Sequence, residues 1–317
     1  MPVPGQNSAP LDGRSRWIDL GGPTHYLDFG GRSDGPVVVA VHGLGGSSVN
    51  WAAIAPLLTD RCRLLALDLA GHGLTQSLGR STTVAANRAL LHGFVQSLIG
   101  GPVIVMGNSM GGMISLLEAG AAPEMVSGLI LVDPALPMVP VRPDPTVTAL
   151  FALYATPLVG RLLLSRRRQW TPEAAVKATL SLCCVDVTRI PADVMAQHVT
   201  MAHRRTKFAG TEKDFLVAAR SVLSTASYVR SPSYRRTMQS IQAPVLMLHG
   251  VRDRLVPLAA ARAAARLNPS WELVELPDIG HVPQLEAPRK TATVIMDWLN
   301  SAGEPAARVA TAGRLIV

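Results

Sequence analysis

The stretch Pro102-Val-Ile-Val-Met-Gly-Asn-Ser-Met-Gly-Gly112 decides the fold that we expect for this chain. Its apolar, β-branched first half predicts a short strand that is buried on both faces. Residues 110–122 predict a helix, so Ser109 would lie in a sharp turn between strand and helix. Glycine at positions 107 and 111 supports this turn, because larger side chains two residues either side of the serine would collide. The stretch therefore predicts a nucleophile elbow, which lifts a serine hydroxyl clear of the sheet at the N-terminus of a helix.

The rest of the chain alternates strand and helix patterns, which is typical of a parallel sheet covered by helices. Further buried strands are predicted at residues 36–41, 63–68, 128–132, 244–249 and 271–276, and a leading antiparallel hairpin at 17–20 and 25–29. Other helices are predicted at residues 83–99, 258–267 and 288–299. The expected fold class is therefore α/β, with a mostly parallel, doubly wound sheet.

Length and composition fit one α/β core that carries an insertion. The chain has 317 residues, of which 48% are apolar and only 16% are charged, so it can bury a sizeable core. We assign residues 17–133 and 244–300 to the core. Residues 134–243 lack strong strand signals and predict a helical cap over the C-terminal edge of the sheet. Residues 1–16 and 301–317 are predicted to be a flexible N-terminus and a loosely ordered tail.

The positive charge of the chain is concentrated in the predicted cap. Residues 134–243 hold 15 Lys/Arg and 6 Asp/Glu, whereas the remainder holds 15 and 16. Within the cap, residues 148–164 are apolar apart from Arg161, and Ser165-Arg-Arg-Arg168 and Trp170 follow. This pattern fits a helix pair on an anionic membrane surface, and also the simpler case of a cap helix that packs on the core with its arginines in solvent. An acidic or lipid-like substrate would also suit the charge, whereas no nucleic-acid module is recognisable.

The remaining composition argues against several other classes of protein. The three cysteines Cys62, Cys183 and Cys184 have neither metal-site nor disulfide-framework spacing. Residues 1–10 do not resemble a signal peptide, and no uninterrupted apolar run is long enough for an ordinary transmembrane helix. We therefore expect a cytoplasmic protein without metal or organic cofactor, in contact with a membrane surface if the cap binds one.

A serine hydroxyl in such a turn needs a base and an orienting carboxylate. Of the eight histidines, His281 is the candidate base, because it alone follows the candidate acid and completes the order serine, acid, histidine. Asp253, on the loop after the strand that ends at Gly250, is the preferred acid. Asp133, at the end of an earlier strand and directly before a proline, is the alternative, although turn capping explains it more simply.

Two backbone N–H groups are expected to form an oxyanion hole. One belongs to Met110, the residue after the serine, and the other to Leu44 in the loop His42-Gly43-Leu44-Gly45-Gly46. That loop is not a nucleotide-binding loop, because no Gly-Lys-Ser/Thr follows and its spacing is not G-x-G-x-x-G.

With these motifs the chain resembles the α/β-hydrolase superfamily over residues 17–300. The shared motifs are His42-Gly43 with Ser47-Ser48 and Trp51, Asp68-Leu-Ala-Gly-His-Gly73, the elbow through Gly112, Gly250-x-x-Asp253 and Gly280-His281. Carboxylesterases and related lipases share all of them. Hydrolases that cleave carbon–carbon bonds often carry the same Gly-Asn-Ser-Met-Gly-Gly elbow, but many place tryptophan after the catalytic histidine, where this chain has Val282. The epoxide hydrolase and dehalogenase branch is similar around residues 42–51, yet it attacks with an aspartate at the position of Ser109.

The resemblance implies a serine esterase that acts on a hydrophobic small-molecule or lipid-like ester through Ser109, His281 and Asp253. We expect Gly43, Trp51 and Val282 to contact its substrate. A carbon–carbon bond hydrolase of ring-fission products is the first alternative. A non-catalytic ligand receptor on the same scaffold is the second, because some hydrolase-like receptors retain an intact triad. The sequence does not determine the oligomeric state.

Overall fold

The computed structural model describes residues 14–139, 144–147, 169–227 and 231–300, with single positions between 149 and 166. The predicted C-terminal tail and most of the apolar and arginine-rich stretch at 148–168 lie outside the described residues. None of the described helices combines the length and the apolar composition that are needed to cross a bilayer.

A single eight-stranded sheet forms the centre of the described chain, in the order β1-β2-β4-β3-β5-β6-β7-β8. The strands are β1 Ser15–Asp19, β2 Pro23–Gly31, β3 Val37–Val41, β4 Arg63–Leu67, β5 Val103–Asn108, β6 Val126–Val132, β7 Val245–Gly250 and β8 Glu272–Leu276. The contacts β1–β2 and β2–β4 are antiparallel, and every other contact between neighbouring strands is parallel. The predicted α/β class and the predicted strands are confirmed.

Helices cover both faces of the sheet. They are α1 Ala55–Leu58, α2 Val84–Leu98, α3 Met110–Ala121, α4 Pro172–Cys183, α5 Ala192–Arg205, α6 Thr211–Ala226, α7 Ser231–Gln239, α8 Leu258–Leu267, α9 Pro283–Glu286 and α10 Pro288–Asn300. Alternate residues of the central strands face opposite layers, so that Val38 and Ala40 join one hydrophobic cluster and Val37 and Val39 the other. All residues of β3, β5, β6 and β7 are buried, which explains their continuous apolar runs.

Between β6 and β7 the described residues are helical and contain no strand. Helices α4 to α7 occupy this segment, and hydrogen bonds tie it to the core. Arg205 at the end of α5 donates to the carbonyls of Gly73 (2.7 Å) and Gly71 (3.0 Å). The hydroxyl of Tyr234 on α7 donates to the carbonyl of Ala135 (2.8 Å). The half-buried guanidinium of Arg205 satisfies two carbonyls of the loop after β4 and so ties α5 to the core.

The structure differs from the sequence-based prediction at the N-terminus. Residues 1–13 lie outside the described residues, but β1 begins at Ser15, inside the segment predicted to be flexible. The Oγ of Ser15 lies 2.9 Å from Nε2 of His25, and the Trp17 ring packs edge-on against the same imidazole. These contacts give the start of the chain a partner on β2, which the composition of residues 1–16 does not reveal.

Candidate active site

The turn between β5 and α3 holds Ser109 in a strained backbone conformation. Its φ of 54° and ψ of −116° lie in a region that non-glycine residues rarely adopt. Two hydrogen bonds to the Ser109 carbonyl, from the N–H groups of Met113 (3.0 Å) and Ala135 (2.9 Å), hold the turn. Glycine is required at 111, because a Cβ there would lie 2.1 Å from the carbonyl oxygen of Val41. The predicted elbow is thus formed by close approach of α3 to the end of β3.

The loop after β8 presents His281 to this end of the sheet. The ring is nearly buried, and its Nδ1 lies 2.7 Å from Oδ2 of Asp253. The carboxylate accepts from Nδ1–H, which leaves the lone pair of Nε2 free to take a proton. The side-chain amide of Asn108, the residue before Ser109, donates to the carbonyl of His281 (3.1 Å). This bond ties the histidine loop to the elbow.

Asp253 is equipped to remain ionised. Its Oδ1 accepts from the N–H groups of Leu255 (2.7 Å) and Val256 (3.1 Å), and its side chain is fully buried. Burial acts to raise the pKa of Asp253, but the attraction and hydrogen bond of His281 outweigh it, so that the pKa lies below its ordinary value. A buried, ionised carboxylate can orient the imidazole and stabilise its charged form.

The alternative acid, Asp133, lies beside Asp253 in the structure. It follows β6 with a φ of 45° and is fully buried. Its Oδ1 accepts from the N–H of Gly250 (2.9 Å), so it fastens the end of β7. In the described structure, His281 makes its carboxylate hydrogen bond to Asp253, and Asp133 lies behind that pair.

Both predicted oxyanion donors lie beside the elbow. Met110 is the first residue of α3, so its N–H has no acceptor inside the helix. The Gly43 carbonyl accepts from Nδ1 of the buried His42 (2.7 Å), whose Nε2 in turn accepts from the N–H of Leu69 (3.1 Å). No cis peptide occurs among the described residues, so the N–H of Leu44, in the same trans peptide, points away from His42.

The three residues predicted to contact substrate differ in their exposure and in their distance from the elbow. A Cβ on Gly43 would lie 3.1 Å from Cβ of Ser109, which puts this backbone directly against the elbow. Trp51 is 0% exposed and packs in a hydrophobic cluster beside the sheet, and its contact with substrate stays a prediction. Val282 belongs to the same cluster and is 3% exposed, which leaves it almost no surface for a ligand. A large apolar side chain near a motif is as readily core as pocket wall.

The sequence did not reveal a set of hydrogen bonds that joins the loop around His281 to the insertion. The N–H of His281 donates to the carbonyl of Cys183 at the end of α4 (2.7 Å). The buried carboxylate of Glu286 accepts from the N–H groups of Gly280, Val185 and Asp186, at 2.8, 2.9 and 2.9 Å. A backbone carbonyl leaves no signal in a sequence. Glu286 had one in principle, as the charged residue of the short helix α9.

One group of described donors is spaced closely enough to share a metal ion. Single ligand atoms of Asp133, Asp253 and His281 lie within 4.8 Å of one another. Two of these donors already satisfy each other at 2.7 Å, so a metal ion would have to break the bond between Asp253 and His281. The donor set therefore fits a hydrogen-bonded chain better than a coordination sphere.

Sheet order, elbow and histidine loop together define an α/β hydrolase. A family model described as the alpha/beta hydrolase family matches residues 38–294. The match spans most of the sequence, and the chain belongs to this family.

Individual relatives differ in the reaction that their names describe. The dihydrolipoyllysine-residue acetyltransferase component of an acetoin cleaving system from Pseudomonas putida is 28% identical over 93% of this chain and 70% of its own length. A 2-hydroxy-6-oxo-6-(2'-aminophenyl)hexa-2,4-dienoic acid hydrolase from Metapseudomonas resinovorans is 25% identical over 90% of each chain. A monoacylglycerol lipase from Homo sapiens is 26% identical over 84% of this chain and 76% of its own length.

A solved structure supports the same fold. A thermophilic esterase from Thermogutta terrifontis matches with a TM-score of 0.68 at 24% identity, over 91% of this chain and 98% of the esterase. Because proteins that share this fold catalyse different reactions, the substrate has to be inferred from the site.

Proposed function

We propose that this chain is a serine hydrolase that cleaves a carboxylic ester, or a related acyl bond, of a hydrophobic or lipid-like small molecule. The observation that carries the proposal is the 2.7 Å bond from His281 to buried Asp253, on a loop tied to the strained Ser109 elbow. Perturbed carboxyl groups and a strained serine are typical of a site that performs acyl transfer rather than of a passive core.

In the proposed reaction the Oγ of Ser109 attacks the carbonyl carbon while Nε2 of His281 takes the hydroxyl proton. The resulting imidazolium returns that proton to the leaving alcohol, and an acyl-serine ester remains. Water then attacks this ester, again with His281 as base, and the carboxylic acid and free Ser109 are released. Asp253 holds the Nδ1–H tautomer throughout and stabilises the imidazolium.

The negative oxygen of each tetrahedral intermediate needs preorganised donors. We assign this role to the N–H groups of Leu44 and Met110. Leu44 suits it because His42 fixes the Gly43 carbonyl on the far side of the peptide, and Met110 suits it because it begins α3. The N-terminus of α3 adds the favourable end of a helix dipole.

The choice of a lipid-like ester rests on charge and on similarity. The segment between residues 134 and 243 carries the whole positive excess of the chain, which suits an acidic substrate or an anionic lipid surface. The monoacylglycerol lipase among the relatives acts, by its name, on a lipid ester. We therefore include peripheral contact with an anionic membrane in the proposal.

A carbon–carbon bond hydrolase is the second candidate. One observation favours it, namely that a dienoic acid hydrolase is 25% identical over 90% of this chain. The same triad and oxyanion donors would serve it, but the bond broken would join two carbons. Activity on simple esters separates the two, because efficient steady turnover is the property of the esterase.

The test uses the purified chain and two serine variants. Ser109→Ala should abolish turnover of p-nitrophenyl esters without loss of folding. Ser127→Ala is the matched control, because Ser127 is a buried serine on β6, away from the elbow. Activity retained by Ser109→Ala would refute the mechanism. Covalent labelling of wild type without turnover would favour the carbon–carbon hydrolase or a ligand receptor.

A further inference from the structure

Two buried carboxyl groups lie side by side behind the imidazole of His281. Asp133 follows β6 and Asp253 follows β7, and both side chains are fully buried. Their ligand atoms and that of His281 lie within 4.8 Å of one another. Two ionised carboxylates in such a place repel strongly, so one of them has to hold a proton.

The hydrogen-bond donors identify which group is protonated. Asp253 accepts from two backbone N–H groups and from Nδ1 of His281, so its negative charge is stabilised on both oxygens. Asp133 accepts from one N–H, that of Gly250, and its Oδ2 has no partner among the described residues as long as it is treated as ionised. A proton on Oδ2 turns this unsatisfied oxygen into a donor.

We propose that Asp133 is a neutral carboxylic acid that donates a hydrogen bond to the Asp253 carboxylate and positions it for His281. This inference rests on the proposed function of Ser109, His281 and Asp253. Asp133 touches neither substrate nor the reacting atoms, so it is a positioning residue. Its O–H fixes the Asp253 carboxylate through a strong hydrogen bond to a charged acceptor.

The other charged groups around Asp133 agree with the neutral form. Burial raises the pKa of Asp133 well above its ordinary value, and the negative charges of Asp253 and then Glu286 add to that. The nearest histidine, His249, donates from Nε2 to the carbonyl of Val256 (3.0 Å), while its Nδ1 lies 3.7 Å from Oδ1 of Asp133. Burial lowers the pKa of His249, so it supplies no positive charge that would ionise Asp133.

Asp133→Asn is the diagnostic variant, because the amide keeps the acceptor for Gly250 and a donor for Asp253 but cannot ionise. With a neutral Asp133 in wild type, the pH at which kcat/KM falls on the acid side should stay unchanged, and kcat should remain within about threefold. Were Asp133 ionised, the substitution would remove a negative charge next to His281 and move the acid limb down by about one pH unit. That shift would overturn the proposal.

Asp133→Gly removes the donor and tolerates the positive φ of 45°. It should lower kcat by at least about tenfold with little change in KM, while asparagine at the same position rescues kcat. Equal activity of the glycine and asparagine variants, both folded by circular dichroism, would overturn the positioning role.

An infrared measurement separates this inference from the proposed function. At pH 7 wild type should show the carbonyl band of a protonated carboxyl group, and Asp133→Asn should lack it. Asp68→Asn is the control and should retain the band, because Asp68 is a buried carboxylate whose pKa is about 2. A wild type with the band but no esterase activity would refute the proposed function alone. An active wild type without the band would refute the neutral Asp133 alone.

Discussion

The hydrogen bond between the insertion and His281, the proposed catalytic base, can be tested by adding one methyl group at the preceding residue. Gly280 precedes His281, and a Cβ built on it would lie 2.3 Å from the carbonyl oxygen of Cys183. The φ of Gly280 is not positive, so alanine can adopt its backbone conformation and the contact is the main penalty. The same Cys183 carbonyl accepts the N–H of His281 at 2.7 Å. Gly280→Ala must therefore push apart the two groups that this bond holds together.

The expected loss of activity and stability follows from the overlap between the new Cβ and the Cys183 carbonyl oxygen. Real Cβ atoms essentially never lie closer than 3.0 Å to such an atom, so the carbonyl or the histidine loop has to move by about 0.7 Å. This shift exceeds the roughly 0.5 Å within which a catalytic group must be held. A misplacement of about 1 Å reduces catalytic rates about 100-fold, so we expect a large loss of kcat. Overpacking together with a lost hydrogen bond should lower the free energy of unfolding by about 2 to 4 kcal/mol.

The assay compares Gly280→Ala with Gly93→Ala. Gly93 lies in the middle of α2, and a Cβ there meets only a side-chain carbon of Leu20 at 3.8 Å. The control should keep wild-type kcat, and its free energy of unfolding in urea should rise by about 0.5 to 1 kcal/mol. A Gly280→Ala variant with wild-type kcat and stability would refute the coupling between Cys183 and His281.

Three other perturbations test separate parts of the account. His42→Leu removes the ring that holds the Gly43 carbonyl, so kcat should fall about 100-fold with KM nearly unchanged, and parallel changes in both constants would contradict the oxyanion assignment. Burial acts to raise the pKa of Asp68, but its hydrogen bond and attraction to His25 lower that pKa to about 2. The ionised Asp68 carboxylate therefore stabilises the fold above about pH 5, and this stabilisation is lost as the pH falls towards 2. Between pH 7 and pH 3, wild type should lose about 1 kcal/mol more unfolding free energy than Asp68→Asn in urea titrations, and equal losses would contradict this. The basic insertion should bind phosphatidylglycerol vesicles at low ionic strength and release them at high salt, and no binding at low salt would remove the membrane contact.

The sheet was predictable because its strands are buried on both faces. An apolar run such as Val37–Val41 has few alternatives to a buried strand in a chain of this length, and glycines mark the turn at its end. The elbow was predictable for a related reason, since few other local structures require glycine on both sides of a serine between a strand and a helix. Propensity and packing agree at these positions.

The contacts around the site were less predictable, because they join residues distant in sequence through backbone groups or through burial. Cys183 contributes a backbone carbonyl, which every residue possesses. The motif around Trp51 does not reveal that its large apolar ring lies in the core, where burial of such a side chain contributes about 2 to 3 kcal/mol. The proximity of Asp133 to Asp253 depends on β6 and β7 being neighbours in the sheet, which the order of strands along the chain does not state.

The most direct test of the central claim is reaction of the purified chain with a fluorophosphonate probe, followed by mass spectrometry of the adduct. Esters of graded chain length, turned over in parallel, measure the size of the acyl pocket. We expect one adduct at Ser109, absent in Ser109→Ala and present in Ser127→Ala, together with steady ester turnover. A well-folded wild-type chain that takes up no probe, or takes it up at another residue, would contradict the account.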